Sequence, residues 1–105
     1  MIALTFYDRA GREIDAERLR ELYALGNGYR QLGYHRLMSL GYYEKTVIVV
    51  TQWEGTDHGM GDKRIFASVV FGGKMDGNII RYPDYTAAMT GHQKLVTEIK
   101  KELRL

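Results

Sequence analysis

Apolar residues change their spacing several times along this chain, and each change predicts an element. In "IALTFYD" Ile2, Leu4 and Phe6 alternate with their neighbours, as on one face of a short opening strand. "DRAGREI" reads as a turn, with Gly11 as its positive-φ residue. The period then lengthens. Leu19, Leu22 and Tyr23 share one face of a helix over "AERLRELYAL", with Asp15 as N-cap and Gly26 and Gly28 ending it. "GYRQLGYHRLMSL" returns to alternation, and its aromatics favour a strand over a helix. As a strand it sets Tyr29, Gln31, Gly33, His35 and Leu37 on one face and Arg30, Leu32, Tyr34, Arg36 and Met38 on the other.

"KTVIVVTQW" is apolar on both faces and predicts a central strand. "KRIFASVVF" predicts a second strand, and the loop between the two suits an antiparallel hairpin. "GGKMDG" is a turn and "NIIRY" a short edge strand; Pro83 stops further pairing and Asp84 caps the last helix. That helix runs from Tyr85 to Leu103, with a stripe of Ala88, His92, Leu95, Ile99 and Leu103 joined by Met89 and Val96. Gly91 inside it costs about 1 kcal/mol against Ala, which points to close packing of the helix on the sheet. The sum is a single α+β domain over residues 1–105: an antiparallel sheet of four to five strands with two helices packed on one face.

Composition narrows the function classes. The chain has 105 residues, 45% hydrophobic and 27% charged, in the range of a soluble domain. No apolar run approaches the roughly 18 residues that cross a bilayer, and charge appears too early for a secretory signal. There is no Cys, which excludes disulfides, thiolate zinc sites and cysteine nucleophiles and agrees with a cytoplasmic setting. A net charge of +2 is too small to argue nucleic-acid binding by itself.

Two stretches carry candidate chemistry. In "TQWEGTDHGMGDKRIFASVVFGG" one strand runs toward a loop and the next runs away from it. The last helix then begins near the same loop, so Trp53, Asp57, His58, Asp62 and His92 can gather at one end of the sheet. Two imidazoles and one or two carboxylates suit zinc, manganese or iron, or a general acid–base pair. The simpler reading makes Asp57 a turn residue bonding loop amides, His58 a cap over the sheet end, Trp53 core, and His92 a hydrogen-bonded core histidine. The spacing matches no recognised metal motif, and no GxGxxG, phosphate loop or nucleophile elbow is present. The expectation is therefore no catalytic residue and no cofactor, with the metal question open.

The second stretch interleaves aromatic and basic groups: Tyr29, Arg30, Tyr34, His35 and Arg36, followed by Tyr42 and Tyr43. Eight Tyr against three Phe suggest amphipathic surface contacts rather than a larger core. Such a surface suits a protein interface, or bases and phosphates if Lys63 and Arg64 join it.

The succession "FYDRAGREID", "YRQL", "TVIVVTQWEGTDHGMGD", "IFASVVFGG" and "RYPDYTAAMTGH" resembles a group of small uncharacterised proteins encoded by bacteriophages and prophages. Their pattern opens with "YDR.G..I", carries a Trp and a Gly before "DH", an "IFETMVFGG"-like strand, and "RY.T...A..GH" at the start of a helix. This chain departs from it in "VVTQWEGTDH", and in Ala67 and Ser68 where Glu and Thr are usual. The resemblance implies a phage-encoded protein in the cytoplasm of a bacterial host. The expected function is binding: recognition of a host macromolecule, as a regulator or inhibitor of host or anti-phage defence machinery. A host or defence protein is the expected partner, with nucleic acid as an alternative and no membrane. The competing readings are a metal-dependent enzyme using Asp57, His58 and His92, and a nucleic-acid-binding module.

Overall fold

A computed structural model describes residues 4–39, 45–57 and 63–105. The chain begins with a small hairpin, β1 (Phe6–Tyr7) against β2 (Glu13–Ile14). Asp8 closes its turn, accepting from the Arg12 backbone N–H at 2.9 Å and from Arg12 Nε at 3.1 Å. Gly11, at φ 82°, supplies the left-handed position expected of it. The helix α1 (Ala16–Ala24) follows, capped by the Asp15 carboxylate on the Arg18 N–H.

Four longer strands form an antiparallel sheet in chain order: β3 (Gln31–Ser39), β4 (Lys45–Trp53), β5 (Phe66–Phe71) and β6 (Ile79–Tyr82). The β-branched run of β4 is central in it, as its apolarity on both faces predicted. The helix α3 (Tyr85–Leu103) is capped by Asp84 on the Ala87 N–H and lies across one face of all four strands. Its buried residues are Ala88, His92, Leu95, Val96, Ile99 and Leu103, the expected stripe, with Met89 half-buried beside it. Gly91 is where the helix meets β6. A Cβ there would run into the Tyr82 ring, so the glycine is what lets helix and strand approach. Among the described residues no helix is long and apolar enough to cross a membrane.

Pairing fixes which residues face the helix. His35 lies opposite Val49, Leu37 opposite Val47, Thr51 opposite Ser68 and Trp53 opposite Phe66. From Gly33 onward the odd residues of β3, with the odd residues of β4 and the even residues of β5, therefore point to α3; the register shift between Gln31 and Gly33 reverses the parity before it. The buried apolar residues form two clusters. One contains Leu37, Val47, Val49, Val70, Leu95, Val96, Ile99 and Leu103. The other contains Leu22 from α1 with Trp53, Ile65, Phe66, Tyr82 and Ala88. Helices α1 and α3 thus share one face of the sheet.

Two local readings change. The opening strand is two residues long and stays out of the main sheet. It pairs with its sequence neighbour β2 instead, and runs beside the chain that leaves β4, through Tyr7 N–H to the Gly55 carbonyl at 2.8 Å. Between α1 and β3 lies a further helical turn, α2 (Asn27–Arg30), entered through Gly26 at φ 68°. Tyr29 and Arg30 are therefore helical, not the first residues of a strand. A single turn spans too few residues to show a period, so alternation extended the strand across it.

Candidate functional site

The sequence-derived polar cluster resolves into separate environments. Trp53 is core, as expected. It is fully buried, with Nε1 donating to the Tyr7 carbonyl at 3.0 Å and Tyr23 and Tyr29 packed on it at centroid distances of 5.2 and 5.0 Å. Asp57 lies beyond β4, where its backbone N–H donates to the Thr5 carbonyl at 3.2 Å. His58 and Asp62 lie outside the described residues.

His92 sits in mid-helix against the middle of the sheet. Its Nε2 is 2.8 Å from His35 Nδ1, and its Nδ1 is 2.7 Å from Thr51 Oγ1. Thr51 Oγ1 in turn lies 2.5 Å from Ser68 Oγ. Ser68, Thr51 and His92 are fully buried, and His35 carries the chain to a half-buried position. Both ring nitrogens of His92 are thus engaged by protein, and coordination of a metal would require one of these bonds to break. Burial lowers the His92 pKa below its usual value, and the neighbouring His35 lowers it further. Among the described residues no group of three or more His, Asp and Glu side chains is placed to hold a metal ion. Ser68 and Thr51 have the chemistry of nucleophiles without access to a substrate, so the chain of four is a structural network.

The Tyr and Arg stretch divides as well. Tyr29 packs on Trp53, and Arg30 lies over the Tyr23 ring at 4.3 Å. His35 faces α3. Tyr34 and Arg36 point the other way, to the face of the sheet that no helix of the described residues covers. Tyr42 and Tyr43 lie outside the described residues.

On that uncovered face the strands present Tyr34, Arg36 and Met38 from β3 and Thr46, Ile48, Val50 and Gln52 from β4. Ala67, Val69 and Phe71 from β5 and Ile79 and Arg81 from β6 complete it. Tyr34 is 49% exposed, Phe71 52% and Ile79 51%. None of these strand residues is acidic. Glu54, just past β4, pairs with Arg81 at 3.8 Å. Arg36 has no carboxylate partner among the described residues. Sequence reasoning found Tyr34 and Arg36 and put Met38 on their face. It missed Phe71 and Ile79 as their neighbours, although the parity of the two strong strands, once paired, aligns them.

The geometry thus defines an α+β protein with one covered and one open sheet face. Comparison with family models, curated proteins and solved structures gives no match.

Proposed function

We propose that this chain is a binding protein that recognises a partner protein through the open face of its sheet. The partner surface that fits has an apolar centre and a carboxylate opposite Arg36. The observation that carries the reading is the composition of that face. Aliphatic Ile48, Val50 and Val69 lie at its middle, exposed Tyr34, Phe71, Met38 and Ile79 surround them, and Arg36 has no counter-charge among the described residues. Aromatic residues, Met and Arg are the types enriched where protein interfaces concentrate their energy. A second copy of the same face is a poor occupant, because it would bring Arg36 against strand residues none of which, among those described, is acidic. The resemblance to phage and prophage proteins supports a host macromolecule as the partner, and a role as a regulator or inhibitor of host or anti-phage machinery.

The test is site-directed capture from bacterial lysate. A photo-crosslinking residue in place of Phe71 is expected to trap a protein that the same group in place of Lys101, on the solvent side of α3, does not. Arg36→Glu is expected to abolish capture while the thermal midpoint stays near wild type. Capture that survives Arg36→Glu, or that arises from position 101, would refute the reading. Loss of the captured material on nuclease treatment would replace the protein partner with nucleic acid.

A further inference from the structure

A cavity of about 220 Å³ opens on the helix side of the molecule, between the β1–β2 turn and the chain entering β5 and α3. Its lining includes Arg9, Gly11, Lys63, Phe66, Asp84 and Tyr85. The two cations are held by neutral partners. Arg9 Nη1 donates to the Tyr29 carbonyl at 3.0 Å, and its guanidinium carbon lies 5.3 Å from the Tyr29 ring centroid and 5.7 Å from that of Tyr85. Lys63 Nζ donates to the Gly11 carbonyl at 2.8 Å and lies 4.8 Å from the Tyr7 ring centroid. Neither forms an ion pair with a carboxylate of the described residues. Among the described residues the one acid of the lining, Asp84, is committed to the Ala87 N–H at 2.7 Å.

Lys63 also holds φ 45°, a left-handed conformation that costs a non-glycine residue energy. Gly11 opposite leaves the ammonium its space, since a Cβ there would lie 3.2 Å from Nζ. A guanidinium and an ammonium, both lining the cavity with donors to spare, meet no carboxylate of the described residues that would neutralise them. The volume is below the roughly 300–1,000 Å³ of drug-sized ligand sites, so it suits a small oxyanion rather than a whole nucleotide.

We propose that this cavity binds a phosphate group, either inorganic phosphate or the terminal phosphate of a monoester, between Arg9 and Lys63. The exposed Tyr85 ring is an aromatic surface that suits the carbon side of a monoester. The site lies on the opposite side of the sheet from the open face and stands apart from the binding role proposed there.

Calorimetric titration of the full chain with inorganic phosphate and, separately, phenyl phosphate tests it. One-to-one binding is expected, weakened about tenfold in Arg9→Gln and in Lys63→Gln and largely kept in Lys63→Arg, as for loss of one charge-assisted bond. Tighter binding of phenyl phosphate would assign the site to monoesters; tighter binding of inorganic phosphate would assign it to the free ion. Amide chemical shifts of the wild-type protein provide a test that needs no variant: phosphate should move Ala10, Gly11, Tyr85 and Thr86. No binding of either probe at millimolar concentration, undiminished binding in both Gln variants, or shifts confined to other residues would overturn the proposal.

Discussion

His92 is the residue whose surroundings constrain the protein most. Its ring is held at both nitrogens and pressed against Gly33, where a Cβ would stand 2.9 Å from Cε1 and Nε2. Gly33→Ala must displace a ring that cannot move without losing a hydrogen bond, and is expected to cost about 1–3 kcal/mol in urea unfolding. The pH dependence has a definite sign. The unfolded imidazole takes up a proton as pH falls below the usual 6.5, whereas the buried one resists until lower pH. The stability from this group is therefore complete above that value and declines from it down to the depressed folded pKa. Unfolding free energies from urea titrations between about pH 7.5 and 5.5 should fall, by at most about 1.4 kcal/mol per pH unit from this one group. A His92→Leu variant should lose that component; an unchanged slope in it would assign the effect elsewhere. Sequence alone put His92 on the buried stripe and set Gly33 and His35 on one strand face with Leu37. What it lacked was the pairing of β3 with β4, the long-range fact that brings His35 and Thr51 to the same ring.

At the scale of elements, the strong periodic signals translate directly into structure. The α3 stripe is buried over the strands at 45–53 and 66–71, so Leu95→Ala or Ile99→Ala should cost ~2–5 kcal/mol in chemical denaturation. A loss well under 1 kcal/mol would mean that the helix packs loosely. Asp84→Ala, removing the cap on Ala87, should cost about 1 kcal/mol by the same measurement. The opening strand and its Gly11 turn were legible, but the partner strand β2 and the turn α2 were not, for a common reason. Both are shorter than the window over which a period can be read, and their surroundings are set by tertiary contacts: Tyr7 and Thr5 on the chain after β4, Tyr29 on Trp53. The candidate site was legible in part. Tyr34 and Arg36 are on a common face because alternation says so, but which face stays open is decided by where α1 and α3 settle.

The whole molecule measures 51 by 26 by 25 Å, and its two apolar clusters are separated by a polar row of Ser68, Thr51 and His92. Val49 and Trp53 flank Thr51 on β4, Val70 and Phe66 flank Ser68 on β5, and Leu95 and Ala88 lie one turn either side of His92. One helical turn advances about 5.4 Å and two strand residues about 6.6 Å, so apolar contacts alone would tolerate α3 sliding by a turn. The imidazole would not. Moved by a turn it would face Val49 or Trp53, lose its partners, and cost about 1–3 kcal/mol as a buried unpaired group. The row thus acts as an indexing mark, selecting one seating of the helix among several of similar hydrophobic energy. Replacing it with His92→Leu, Thr51→Val and Ser68→Ala together should leave the thermal midpoint within a few degrees while α3 amide resonances broaden or double. A single sharp set would mean that side-chain shape alone tells the helix where to stop.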